Sequence, residues 1–368
     1  MSKEFRFFDS RQKYLLFVTT TNEKTIISQK ISALIKNLNP QNSSIDIFDA
    51  GLGDGTLLMN VLRNCHMNFP EKPIIVFGKE ISMEDVRLTI EKLPDRFVEH
   101  PNLIILLTNL NYSEASNLTS FDSKKQKNFK FKTISLKGDS SYQFSNQLNQ
   151  IDGLLKNYWE VEKNIKTGNF TYKNPSALVI YRKDMTNNLK DLIPINNKRK
   201  YFDLIIASQP YRSRISVEKK VNYVVKPMMN SLKKNGQLAL VHSCGQDPAE
   251  EVVKKIWPNK NSFPSLSNDI ITYLKKDLNA KTFSEFDFQN PETFNYELKA
   301  LPNEIDNGIA TSLIFSSWNA ITYVNQINDK NIYEIEKKDG YLKPIKETIK
   351  KYGGIWFNDE MLVIKKVK

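Results

Sequence analysis

The segment Ile45-Asp46-Ile47-Phe48-Asp49-Ala50-Gly51-Leu52-Gly53-Asp54-Gly55-Thr56 constrains the fold of this chain more than any other. A short apolar run ends in an acid and then in three glycines at alternate positions, and a helical pattern through Leu57, Leu58, Val61 and Leu62 follows at once. Glycine has no Cβ and tolerates positive φ, so the backbone here can approach a ligand closely. The helix that follows presents free N–H groups at its start. A plain tight turn between strand and helix would carry the same glycines, so the reading depends on what surrounds the loop.

The surroundings repeat one unit. Ile74 to Phe77 is a second apolar run ending in Gly78-Lys79-Glu80, and Ser82 is placed to cap a helix through Val86, Leu88, Ile90 and Leu93. Leu103 to Leu107 is apolar throughout, as a strand covered on both faces of a parallel sheet should be. Phe202 to Ala207 reads as a fourth strand. Val221 to Leu232 reads as a helix stopped by Asn235-Gly236, and Leu238 to Val241 as a fifth strand. Strand, loop, helix and strand in succession predict an α/β fold with a doubly wound, mostly parallel sheet.

The rest of the chain is assigned around that frame. Residues 1–44 form an N-terminal helical segment, with apolar residues at helical spacing from Glu23 to Leu38. Residues 45–330 form the main domain, interrupted at about 113–200 by an insertion longer than one crossover requires. That insertion holds a helix through Phe144, Leu148, Ile151 and Leu155 and a strand from Ala177 to Tyr181. Phe294 to Leu298 and Thr311 to Phe315 read as late strands. Residues 331–368 read as an appendage, a helix from Tyr341 to Tyr352 followed by a strand or hairpin.

A chain of 368 residues with 40% hydrophobic and 26% charged residues can bury a full core. The two cysteines, Cys65 and Cys244, lie far apart, without the paired spacing of a zinc site or a disulfide framework. No metal is expected, and a reducing, cytoplasmic setting is. The charged start Met1-Ser2-Lys3-Glu4 and the lack of a long apolar run imply neither a signal peptide nor a membrane span. The net charge of +12 would suit a polyanion such as nucleic acid, but the lysines are scattered rather than clustered, so that partner ranks second. Nothing in the sequence sets the oligomeric state.

A dinucleotide fingerprint would carry a glycine where Thr56 stands. The run Asp49-Ala50-Gly51-Leu52-Gly53-Asp54-Gly55 instead resembles the first motif of class I S-adenosylmethionine (SAM)-dependent methyltransferases. Lys79-Glu80-Ile81-Ser82, Leu93-Pro94-Asp95-Arg96-Phe97 and His100-Pro101-Asn102 are similar to that family's second and third segments. The resemblance covers about Ile45 to Val241. It implies S-adenosyl-L-methionine as cofactor and a Rossmann-like sheet of class I type. It assigns cofactor contacts to Asp49, Gly51, Gly53, Asp54, Gly55, Glu80, Asn109 and Ser208. Glu80 would accept the ribose hydroxyls, and Asn109 stands where the family usually has an adenine-binding Asp.

Methyl transfer from a sulfonium is an in-line displacement, so the protein must chiefly position a nucleophile and exclude water. Ser208-Gln209-Pro210-Tyr211, at the end of the fourth strand, resembles the (Asp/Asn/Ser)-Pro-Pro-(Tyr/Phe) motif of methyltransferases acting on amino groups of planar systems, with Gln209 as the departure. By that resemblance Ser208 and the Gln209 carbonyl hold a nitrogen and Tyr211 stacks on its plane. A polar turn after a core strand would read the same. His242 is the best placed of three histidines to remove a proton, or is simply packed. Ser208, Tyr211 and His242 are therefore the catalytic candidates. Arg212 and Arg214 could meet a substrate anion or face solvent; His66, His100, Trp318 and Trp356 read as structural.

Phe7 to Arg11 with Tyr14 would form a lid, by analogy with small-molecule methyltransferases. The expected activity is methyl transfer to a small-molecule acceptor at an amine nitrogen. The competing readings are a nucleic-acid amino-methyltransferase and a noncatalytic SAM-fold binding protein.

Overall fold

The structure is a computed structural model that describes residues 11–38, 43–163, 170–299 and 310–368. Its strands, in chain order, are β1 (Ile45–Asp49), β2 (Ile74–Lys79), β3 (Leu103–Thr108), β4 (Lys130–Leu136), β5 (Val161–Lys163), β6 (Phe170–Tyr172), β7 (Ser176–Arg182), β8 (Phe202–Ser208), β9 (Leu232–Ser243), β10 (Phe286–Phe288), β11 (Glu292–Glu297) and β12 (Trp356–Lys366). One sheet runs in the order β10-β12-β9-β8-β1-β2-β3-β7-β4, with β11 also paired to β12. Strands β3, β2, β1, β8 and β9 are parallel neighbours, the doubly wound arrangement expected from the sequence. β1 has β2 on one side and β8 on the other, so the winding reverses there and opens a crevice beyond the carboxyl ends of β1 and β8.

The helices α1 (Arg11–Thr20), α2 (Glu23–Lys36), α3 (Thr56–Asn68), α4 (Met83–Glu91) and α5 (Pro94–Glu99) occupy the first third of the chain. Alternation along β1 sorts its side chains between two cores, because successive residues of a strand face opposite ways. Ile45 and Ile47 pack with Ile31 and Ile35 of α2 and Leu58 and Leu62 of α3. Phe48 joins the opposite face with Phe77, Val221, Met228 and Ile270. A third cluster gathers Phe17 of α1 with Val252, Trp318, Ile321 and Ile345 beside the carboxyl end of the sheet.

Four expectations change. The strand expected at Thr311 to Phe315 is part of the helix Ala310–Val324. The apolar run Leu313-Ile314-Phe315 is strand-like alone, and from Ser317 onward the helix is buried on every side, so it carries no amphipathic stripe to mark it as helical. Asn235-Gly236 does not stop a helix; it lies inside β9. There the β8–β9 pairing slips from Phe202↔Leu232 to Leu204↔Gln237, and Asn235 takes φ +65°. A Cβ at Gly236 would stand 2.5 Å from the Phe202 carbonyl oxygen, so the glycine permits a bulge rather than a cap. The helix before it, Val217–Lys220 to Lys226–Met229, passes through a π turn at Val221–Val225.

The insertion does more than surround a crossover helix. β7 pairs antiparallel with β3, and β4 pairs with β7 outside it, so the insertion extends the sheet by two strands. Residues 331–368, read as an appendage, supply β12, which pairs antiparallel with β9 through Met361↔Val241 and separates β9 from β10. Among the described residues no helix is long and apolar enough to cross a membrane.

Candidate active site

The glycine loop is fixed to the strands on both sides of β1. The Ala50 N–H donates to the Ile206 carbonyl at 2.8 Å and the Leu52 N–H to the Lys79 carbonyl at 3.2 Å. Gly53 (φ +54°) and Gly55 (φ +78°) are left-handed, a conformation costly for any residue with a Cβ. At Gly53 a Cβ would also overlap the Tyr14 hydroxyl; at Gly55 it would lie 2.6 Å from Thr89 Oγ1.

Glu80 closes the loop from the end of β2. Its Oε2 accepts the Gly53 N–H at 3.0 Å, and Oε1 accepts the N–H groups of Ile81 (2.8 Å) and Ser82 (2.9 Å). Its backbone carbonyl accepts the indole N–H of Trp159, which brings the insertion against this rim. Asp49 Oδ1 accepts the Gly51 N–H at 3.2 Å, while its buried Oδ2 has no hydrogen-bond partner. Burial pushes the Asp49 carboxyl up to about 7, against the opposing pull of the Gly51 N–H and Lys24.

α1 contacts this loop through Tyr14; Phe7 to Ser10, the other residues of the segment expected as a lid, lie outside the described residues. The Tyr14 hydroxyl accepts the Asp54 N–H at 3.2 Å and donates to Asp54 Oδ1 at 3.3 Å. Arg11 is paired with Asp85 of α4. Behind Tyr14, the buried Glu23 carboxylate forms an ion pair with Lys24 at 2.8 Å.

Between α1, the loop and the strand ends lies a cavity of about 640 Å³. Of the residues assigned from the sequence, Gly51, Gly53, Glu80, Ser208 and Tyr211 line it. The others take different places. Asp54 holds the start of α3: Lys92 Nζ lies 2.6 Å from Oδ2, and Thr56 donates through both its backbone and its hydroxyl. Burial would raise the Asp54 carboxyl, but these donors outweigh it and hold it below its ordinary value. Gly55 is the residue that opens α3.

Asn109 is not free to hold an adenine. Its amide nitrogen donates to the carbonyls of Tyr158 (3.1 Å) and Asn174 (3.0 Å), and its oxygen accepts the Ser176 N–H at 2.8 Å. A buried amide that uses both donors and one acceptor position in this way fastens the insertion to the end of β3.

The opposite wall is built by the end of β8. Ser208 Oγ is buried and has no hydrogen-bond partner. Gln209, at φ +51°, uses its side-chain amide to tie β8 to β9 and β12. Nε2 donates to Ser243 Oγ (3.0 Å) and to the Asp359 carboxylate (3.2 Å), and Oε1 accepts the Ser243 N–H at 3.2 Å. This explains glutamine where the motif has proline: the position anchors three strands. Burial, reinforced by Glu23, pushes Asp359 up to about 8.

Tyr211 is nearly buried, and the Lys220 ammonium lies 4.8 Å from its ring centroid. Its hydroxyl meets His242 Nδ1 at 2.7 Å, and His242 Nε2 meets Glu360 Oε1 at 2.6 Å. His242 does not line the large cavity. It borders a much smaller one behind Tyr211. Burial pushes the imidazole below its ordinary value, opposed by Glu360.

His66 and His100 contact each other at 3.1 Å on the far side of α3, and Trp318 stacks between Trp257 and Tyr341, as their structural reading implies. Arg214 donates to the carbonyls of Asn325 and Gln326. Among the described residues no cluster of His, Cys, Asp or Glu could hold a metal ion.

Sequence reasoning missed Glu23, Lys24 and Tyr296 in the cavity wall and Glu360 beside His242; Tyr323, which the sequence offered with Trp318 as pocket lining or as packing, lines the cavity, as does Lys79 of the second segment. The only signal was polar residues inside apolar segments: Glu23-Lys24 opening an amphipathic helix, and Asp359-Glu360 opening an apolar terminal strand.

No protein-family model matches the chain, and no curated protein matches it. Solved structures align over most of its length at low identity. The [4+2]-cyclase SpnF aligns at 9% identity over 92% of this chain and 82% of its own, with a TM-score of 0.37. Coclaurine N-methyltransferase bound to N-methylheliamine and SAH gives 12%, 91%, 71% and 0.36. Geranyl diphosphate methyltransferase in complex with SAM gives 10%, 93%, 85% and 0.34. This chain is similar to them at a level that carries no argument for a shared activity.

Proposed function

We propose that this chain is a SAM-dependent methyltransferase that transfers a methyl group to a small-molecule acceptor at an amine nitrogen. One observation carries the reading: the glycine loop and the Glu80 carboxylate form one rim of a 640 Å³ cavity, and Ser208 and Tyr211 form the other. The residues fit the cofactor. Gly51 and Gly53 expose backbone at the switch point, and Glu80 Oε2, which accepts the Gly53 N–H, keeps a further lone pair for a ribose hydroxyl. Ser208 Oγ is an orphaned polar atom of the kind a bound ligand satisfies.

Bound SAM would supply an electrophilic methyl group. The chain's own residues do the rest: Glu80 and the loop orient, α1 with Tyr14 excludes water, and Ser208 is placed to hold the acceptor nitrogen. The cavity volume lies within the range of small-molecule sites, which favours a metabolite over a polymer.

Incubation with methyl-labelled SAM and a fractionated cell extract, followed by mass spectrometry, tests this. A labelled small amine supports it. Label in nucleic acid would point to the amino-methyltransferase alternative, and SAM binding without transfer to the noncatalytic one.

A further inference from the structure

We propose that Tyr211, His242 and Glu360 form a proton relay that carries away the proton released by the acceptor during methyl transfer. The inference rests on the methyltransferase reading and adds a function for a buried chain of groups that cofactor binding leaves unexplained.

The geometry sets the direction. Glu360 Oε1 faces His242 Nε2 at 2.6 Å, so Nε2 carries the ring proton and donates it. Nδ1 then has a free lone pair, and the Tyr211 hydroxyl, 2.7 Å away, donates to it. The phenol oxygen keeps its own lone pairs, and Tyr211 lines both the large cavity and the small one that holds His242. Glu360 is itself fixed by the Ser267 N–H. Tyrosine, histidine and carboxylate thus follow one another from the cavity wall inward: Tyr211 lies just past β8, His242 near the end of β9, and Glu360 within β12 as the cross-strand partner of His242.

A bond forms between the acceptor nitrogen and the methyl carbon, and the carbon–sulfur bond breaks with its electron pair passing to sulfur. The acceptor N–H proton moves to Tyr211 Oη as the Oη proton moves to His242 Nδ1. Tyr211 ends neutral, and the imidazolium formed is held by Glu360. The order of groups matches the nucleophile, base and orienting carboxylate of acyl-transfer enzymes, with the phenol as conduit rather than nucleophile.

Electrostatics fit this use. Burial holds the imidazole neutral at neutral pH, which a base requires, and lifts the Tyr211 phenol far above its ordinary value, so Tyr211 conducts a proton rather than losing one. The charged and titratable groups facing His242 are Tyr211, Glu360 and Lys220. Lys220, lowered to about 8 by burial, sits over the Tyr211 ring and donates to Ser265. A purely structural role would make the same contacts, fastening β9 to β12, so the test must separate the two.

Histidine-selective 15N NMR on the free protein reads the tautomer directly, and His242→Gln assigns its signals among three histidines. The relay requires neutral His242 protonated at Nε2 at pH 7; protonation at Nδ1, or a full imidazolium, overturns it. Methyl-labelled SAM with the active extract fraction then gives turnover. His242→Gln and Glu360→Gln should lower kcat by about 100-fold, in the range of general-base losses, with SAM affinity by calorimetry unchanged. In Glu360→Gln the acidic limb of the pH profile should move to lower pH, because the carboxylate that favours imidazolium is gone. Tyr211→Phe should match His242→Gln. Wild-type turnover in folded His242→Gln with SAM bound removes the relay alone, whereas failure of the wild type to bind SAM removes the reading beneath it.

Discussion

Glu80 Oε2 accepts the backbone N–H of Gly53 across 3.0 Å, joining the end of β2 to the glycine loop after β1. The carboxylate thereby shapes the loop as well as facing the cavity. Glu80→Gln keeps the size and one acceptor oxygen but loses charge-assisted bonds, each worth about 1.5–3 kcal/mol. SAM affinity should fall about 10- to 100-fold, measured by titration calorimetry, with the circular dichroism spectrum unchanged.

Gly53→Val should abolish SAM binding. The variant combines a β-branched side chain with φ +54° and a clash against the Tyr14 hydroxyl. Strain of this kind costs on the order of 1–3 kcal/mol, which a domain with two large cores can absorb. The expected outcome is a folded protein with a lower Tm and no SAM heat; a variant binding SAM as the wild type does would contradict the loop's role.

Asn109→Ala separates a structural role from a cofactor role. Removing the amide leaves the Tyr158 and Asn174 carbonyls and the Ser176 N–H without their partner, at about 1–3 kcal/mol for a buried group. Urea unfolding should report that loss while SAM affinity stays within about twofold. A large loss of affinity at unchanged stability would restore the adenine assignment.

The buried acid Asp359 makes stability depend on pH. Its folded-state pKa, about 8, lies above that of an unfolded aspartate, so the folded protein holds this proton more tightly. The resulting stabilisation is fully present below the unfolded value near pH 4 and is lost as pH rises through about 8. Asp359→Asn keeps an oxygen for the Gln209 amide and cannot ionise. Urea midpoints at pH 5 and pH 9 should therefore differ less in the variant than in the wild type; equal differences would show that Asp359 does not titrate within this span.

What the sequence disclosed and what it hid divide along physical lines. β1, β2, β3 and β8 were legible because strands buried on both faces are mostly apolar, with only Asp46, Asp49 and Asp203 as acids among them, and the loop because alternate glycines have few other uses. Gln209 was misleading, since a proline expected from a motif was replaced by a residue whose partners, Ser243 and Asp359, lie 34 and 150 positions away. Glu360 was hidden for the same reason: nothing local marks a carboxylate as the partner of a histidine 118 residues earlier. The helix Ala310–Val324 is hard to read from sequence because it is buried on every side from Ser317 onward, so its apolar triplet Leu313-Ile314-Phe315 stands without the amphipathic period that separates helix from strand.

Titration of the protein with SAM, monitored by calorimetry alongside Glu80→Gln and with NAD as the control ligand, tests the central claim most directly. Saturable one-site binding of SAM, weakened by Glu80→Gln and absent for NAD, is the predicted result. No binding of SAM by the folded wild type would contradict it.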